Sequence, residues 1–146
     1  MAFLNISKDN KELIEQIDRT NYFGLHNSGV ERMDLYTFAV ALGYNQGYPS
    51  DLRHATSLVR EERAKEFTIR YAFSSLFFND VISKGEGSVE DLTSTEKVFP
   101  LADRYANTGF SVLADLMKDY SSEQLTYELL SLIDEANEVF KKDRAH

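Results

Sequence analysis

The chain has 146 residues, 42% hydrophobic and 27% charged, the balance of an ordinary globular domain rather than a disordered or fibrous one. Its 16 basic and 24 acidic residues leave a formal charge of -8, which disfavours non-specific binding to nucleic acid. Cysteine is absent, which excludes disulfides, thiol catalysis and zinc–thiolate sites. No apolar run approaches the roughly 20 residues that span a bilayer.

The length suits one domain over residues 1–146. The opening Met1 to Asn5 does not read as a signal peptide. Glycine numbers 7 and proline 2, too few for an all-β domain with many tight turns. Turn residues gather at Asn27-Ser28-Gly29, Gly43 to Ser50, Ser83 to Ser88, and Tyr120 to Ser122. The stretches between them read as helices.

The first predicted helix runs from about Ser7 to Arg19. Ser7 is placed to cap it, and Leu13, Ile14 and Ile17 form its apolar stripe. The second, near Glu31 to Leu42, is apolar almost all round, as a helix buried on several sides is, and Gly43 is placed to stop it as a left-handed C-cap. The third starts between Asp51 and Val59 and runs to about Ile82. Its first half is charged and its second half aromatic; Phe67-Thr68-Ile69 has some strand character. Ser88 to Asp91 reads as a capping box for a helical turn. The fourth helix then extends to about Asp119, with Pro100 in its first turn or kinking it. The fifth, capped by Ser121 or Ser122, reaches about Lys142 on a stripe that includes Leu125, Leu129 and Leu132. Five helices and short loops predict an all-α, compact bundle.

Catalytic constellations are missing from this sequence. No Gly-x-Ser-x-Gly elbow and no phosphate-binding glycine motif occurs. His26, His54 and His146 are scattered, and His54, the one among polar neighbours, reads as a turn histidine. Glu61, Glu62 and Glu66, or Asp134, Glu135 and Glu138, come nearest to a metal site. Glu-x-x-His pairs are absent, and solvated faces explain these carboxylates. No catalytic residue, no metal and no cofactor is expected.

Two features bear on partners. The loop Gly43 to Asp51 carries Tyr44, Asn45, Gln46 and Tyr48, the amphipathic and amide side chains common on recognition surfaces. Tyrosines that pack back on the bundle are the other reading, and both stay open here. The second feature is the stretch from Arg53 to Arg70, where five basic and three acidic residues make a net-positive island. On one continuous helix, Arg53, Arg60, Arg63 and Arg70 share an arc of roughly 100°. That arc suits a nucleic-acid-binding face. Ion pairs such as Glu66 with Arg70, four residues apart, are the favoured account of it.

The segment Arg32-Met33-Asp34-Leu35-Tyr36-Thr37-Phe38-Ala39-Val40-Ala41-Leu42-Gly43-Tyr44 shows an acidic residue, an apolar run ending in Ala-x-x-Leu-Gly-Tyr, and a polar turn. It resembles a segment of small accessory proteins encoded beside bacterial DNA phosphorothioation and related restriction or phage-defence systems. The resemblance spans about 13 to 20 residues and transfers no catalytic residue. It implies a cytoplasmic bacterial or phage protein that works by contacting other macromolecules. The expected function is thus a non-enzymatic interaction or accessory protein of such a system, or its phage-encoded antagonist. The alternative is a nucleic-acid-binding protein using Arg53, Arg60, Arg63 and Arg70.

A homodimer is also expected. Tyr71, Phe73, Leu76, Phe77, Phe78 and Ile82 almost encircle the third helix, and Phe99, Leu101, Tyr105, Phe110 and Val112 do much the same on the fourth. Two such walls exceed what one small bundle needs to bury.

Overall fold

Leu4 and Ile6, two residues apart, are both fully buried, while Phe3 is exposed and Asn5 lies between. That alternation is a strand's, and Phe3–Ser7 forms β1. The computed structural model describes residues 3–20, 32–60, 67–121, 123–131, 134 and 138, with residues 20 and 67–69 described by backbone alone. The elements that follow are α1 (Lys8–Thr20), α2 (Arg32–Gln46), β2 (Ala55–Arg60), α3 (Phe67–Asp80) and α4 (Thr95–Asp119). A last helix, α5, covers 123–131, and residues 134 and 138 are also helical. Two short 3₁₀ turns, Ile82–Lys84 and Val89–Thr93, join α3 to α4.

The all-α expectation needs a correction. The described fold is mostly α, with a two-stranded antiparallel sheet of β1 and β2. Ser7 pairs with Ala55 and Phe3 with Arg60. Leu4 faces Val59 but Asn5 faces Ser57, so Leu58 is the extra residue of a bulge. The predicted third helix is thereby split. Its beginning is strand β2, its end is α3, and residues 61–66 between them lie outside the described residues. Phe67-Thr68-Ile69, the piece with strand character, opens α3 as helix.

α4 is the central element, and α2 packs along it more extensively than any other pair of elements. Val98, Phe99, Leu101, Ala102, Tyr105, Ala106, Phe110 and Leu113 are all buried on it. The apolar wall of the fourth helix is therefore covered within the chain, with Val112 half-buried beside it. Pro100 sits on an exposed position in the helix's second turn rather than its first.

Several helix boundaries differ from expectation. Gly43 lies inside α2 and is buried; the left-handed residue that ends this helix is Gly47, at φ 93°. Ser7 does precede α1, but its hydroxyl turns to α4 and to Arg53. The stripe Leu13, Ile14 and Ile17 is buried as predicted. The Ser88 N–H donates to Asp91 Oδ2 at 3.1 Å in the expected capping box. A second box opens α5, where Ser121 N–H donates to Gln124 Oε1 and Gln124 N–H to Ser121 Oγ. Leu125 is fully buried on α5, while Tyr127 and Leu130 are exposed. The predicted turn Asn27-Ser28-Gly29, with His26, lies outside the described residues, as do Leu132 and the final residues to His146. No helix among the described residues is long and apolar enough to cross a membrane.

Candidate interaction site

The chain between α2 and β2 is tied to α4 at Ser50 and Asp51, and to β1 and α1 at Arg53. Asn107 is the hub of that attachment. It is buried, its Oδ1 accepts from Ser7 Oγ at 2.6 Å and from Asn10 Nδ2 at 2.9 Å, and its Nδ2 donates to Ser50 Oγ at 2.8 Å and to the Asp51 carbonyl at 3.2 Å. One side chain thus joins β1, α1, α4 and the loop, with both amide lone pairs and both amide hydrogens engaged.

The same loop is held by further bonds. The Ser50 N–H donates to the Arg104 carbonyl at 3.1 Å, and the Ser50 and Thr108 hydroxyls lie 2.8 Å apart. The Arg53 N–H donates to Ser7 Oγ at 3.0 Å, and the Arg53 carbonyl accepts from Lys8 N–H at 3.3 Å. Arg104 Nε donates to Asp51 Oδ1 at 3.1 Å, an exposed pair of small energetic weight. Around this framework lies a polar cleft of about 620 Å³, with Asp9, Tyr48, Asp51 and Arg53 among its lining residues and Asn10 and Asn107 at its buried side.

The anchored segment carries the predicted recognition residues outward. Tyr44, Asn45 and Gln46 occupy the last turn of α2 and are exposed, and Tyr48 follows on the loop. Tyr44 keeps 43% of its surface accessible and Tyr48 55%. Tyr44 also meets the buried Tyr105 edge-on, with ring centroids 5.5 Å apart, so its ring has a fixed seat. Pro49 restricts Tyr48 to extended backbone. The expected loop at Gly43 thus begins four residues later, and only Tyr48 of the four stands on it.

The arginines are not brought together on one helix. Arg53 stands in the bend before β2, Arg60 at the end of β2, and Arg70 in the first turn of α3, all exposed. Arg63 lies outside the described residues. Strand β2 alone separates Ala55 from Arg60 by about 16 Å. The shared 100° arc required a continuous helix, and the strand removes it. Arg53 instead shares the cleft with Tyr48.

His54 is exposed beside the cleft and is not among the residues lining it. The Ser7, Ser50, Thr108 and Ser111 hydroxyls in the cleft bond to amides, to main chain or to each other. Among the described residues, no group of three or more His, Cys, Asp or Glu side chains is placed to hold a metal ion.

Two buried groups escaped the sequence reading. Asp103 Oδ1 accepts from the Tyr36 hydroxyl at 2.6 Å and from Asn5 N–H at 3.1 Å, tying α2 and β1 to α4. Asp103 and Asn107 lie four apart on the side of α4 that also carries Ala102, Ala106 and Phe110. Polar residues on an apolar stripe were the available signal. No protein-family model matches the chain, nor does any curated protein or solved structure.

Proposed function

We propose that this is a non-enzymatic interaction protein that contacts a partner protein through the surface of Tyr44, Asn45, Gln46 and Tyr48. The observation that carries the reading is the rigid presentation of two exposed tyrosines. The loop behind them is pinned at Ser50, Asp51 and Arg53, so little conformational entropy is lost when a partner binds. Large amphipathic rings held this way are the side chains that dominate binding energy at interfaces. The neighbouring cleft adds hydrogen-bonding groups at the rim of such a contact. The resembling segment Arg32 to Tyr44 is α2 itself and leads directly into this tip. We accordingly place the protein in a bacterial DNA-modification or phage-defence system, or as a phage-encoded antagonist of one.

The test is comparative capture with the tagged full chain in its native host. The wild type and a Tyr127→Ala control on exposed α5 are expected to retain the same protein, and Tyr44→Ala/Tyr48→Ala to lose it. Capture that survives the double substitution overturns the assignment of the surface.

A further inference from the structure

We infer that the polar cleft beside the start of α1 binds a mononucleotide, with its phosphate at the N-terminus of that helix next to Arg53 and its base stacked on Tyr48. The start of α1 has no side-chain cap from Ser7. The Ser7 hydroxyl donates to Asn107 Oδ1 at 2.6 Å and accepts from Arg53 N–H at 3.0 Å, so it does not turn back onto the helix. Lys8 N–H is taken by the Arg53 carbonyl. The Asp9 and Asn10 N–H groups bond to nothing among the described residues. Two open main-chain donors at the positive end of a 13-residue helix attract an anion.

Asn10 gives a separate sign that a ligand belongs in the cleft. Only 7% of its surface is accessible, and one of its amide hydrogens goes to Asn107 Oδ1 at 2.9 Å. Its own Oδ1 has no hydrogen-bond partner among the described residues. No fully buried side-chain oxygen or nitrogen there lacks a partner, so Asn10 Oδ1 is reached by solvent, and the cleft it lines is the way in. A carboxamide held deep on one edge and open on the other offers an acceptor and a donor to what enters.

The charges divide the cleft. The Arg53 main chain is fixed to Ser7 and Lys8, which brings the residue to the start of α1. Its guanidinium forms no ion pair among the described residues, and a forked cation at a helix N-terminus suits phosphate oxygens. Asp51 is paired with Arg104. Asp9 also lines the cleft; as an acceptor it repels phosphate and suits the hydroxyls of a ribose. Tyr48, 55% exposed, offers a ring face on which any base stacks. Phosphate alone leaves Tyr48 and Asp9 unused, and a nucleoside leaves Arg53 and the helix N-terminus unused. A nucleotide engages all of them, and a cleft of about 620 Å³ admits one. The net charge of -8 opposes a polyanion along the surface more than one phosphate at a local positive site. The inference does not rest on the partner-protein reading, although Tyr48 serves both.

The test uses the purified full chain with no other protein present, titrated by calorimetry and by amide NMR. The probes are adenosine 5′-monophosphate, adenosine and inorganic phosphate. The monophosphate is expected to bind with a Kd of roughly 0.1–1 mM, as an open cleft with one guanidinium allows, and to shift the Asp9 and Asn10 amide signals. Adenosine and phosphate should each bind about tenfold more weakly. Arg53→Gln, at an exposed side chain, should weaken the monophosphate about tenfold with an unchanged circular dichroism spectrum. Tyr48→Ala should reduce its affinity to that of phosphate. Asp9 and Asn10 signals unmoved at about 10 mM monophosphate, well above that range, overturn the inference. So does binding that Arg53→Gln leaves undiminished, or adenosine or phosphate binding as tightly as the monophosphate.

Discussion

Gly43 of α2 and Gly109 of α4 each lie directly against the main chain of the other's helix. A Cβ on Gly43 would land on the Tyr105 carbonyl, and one on Gly109 on the Ala39 carbonyl. Both obstacles are backbone, which cannot swing aside as a side chain can. Gly109→Ala is therefore expected to cost about 3 kcal/mol, because α2 and α4 must separate along their whole contact. In urea the unfolding midpoint should fall with little change in slope. An unchanged midpoint would show that the helices do not cross this closely.

Asn107 is the next test. Asn107→Leu removes four hydrogen bonds at once and leaves Ser7, Asn10 and Ser50 to find other partners in a buried setting. The expected loss is roughly 2–4 kcal/mol. A second readout is local. Trypsin should cut after Arg53 faster in the variant than in the wild type, since the loop loses its bonds to α4. Equal cleavage at equal stability would separate the loop from Asn107.

The helices were legible because their stripes are local. Leu13, Ile14 and Ile17 mark α1 within five residues, and Ser121 to Gln124 announces the start of α5. The strands were not, for a physical reason. The bulge at Leu58 turns the adjacent Leu58 and Val59 both toward the core, which erases the period of two that identifies a strand. β1 is only five residues long, and its partner lies some fifty residues away. Gly43 was ambiguous, since a glycine that ends a helix and one that admits a neighbouring helix look alike in sequence; Gly47, four residues later, is the one with positive φ. The tyrosine surface was visible as composition. Its anchor was not, because Asn107 reaches Ser7, Asn10 and Ser50 across gaps of 100, 97 and 57 residues.

His54 is, among the described residues, the one non-glycine residue with positive φ, at 51°. The left-handed conformation costs a residue with a Cβ about 1 kcal/mol. Arg53 is pinned by its N–H and carbonyl on one side, and Ala55 enters the sheet on the other, so the backbone here has no easy escape. His54→Gly is expected to leave the urea midpoint unchanged or raise it, the relief being partly offset by the freedom glycine adds to the unfolded chain. His54→Val, β-branched, should lower stability by about 1–2 kcal/mol. Equal stabilities for the two variants would refute the strained turn.

Alkaline pH should destabilise the fold through two buried phenols, Tyr36 and Tyr105. The Tyr36 hydroxyl is buried and donates to Asp103 Oδ1, with its ring edge-on to Phe73 at 6.0 Å. Burial first, then the charge of Asp103 and the hydrogen bond to it, push the Tyr36 phenol well above its usual value of 10.0. Burial also pushes Tyr105 up to about 12, with a contribution from its hydrogen bond to Asp80. In both cases the folded chain holds a proton that the unfolded chain releases earlier. The stabilisation is complete below the unfolded value and drains as pH rises from there through the folded values. Each group contributes a slope of about 1.4 kcal/mol per pH unit in that window. The fall should begin near pH 10 and continue through about 12 for Tyr105, with Tyr36, also raised well above 10.0, adding to it. Tyr36→Phe should cost about 1–3 kcal/mol at neutral pH, since buried Asp103 loses a donor, and should make the alkaline fall shallower. Phenolate absorbance followed alongside circular dichroism checks this directly. Tyr36 and Tyr105, of the eight tyrosines, should ionise only as the helical signal is lost, and the late step should shrink by one tyrosine in Tyr36→Phe. If Tyr36 and Tyr105 ionise near pH 10 while the helices remain intact, neither phenol is buried as described.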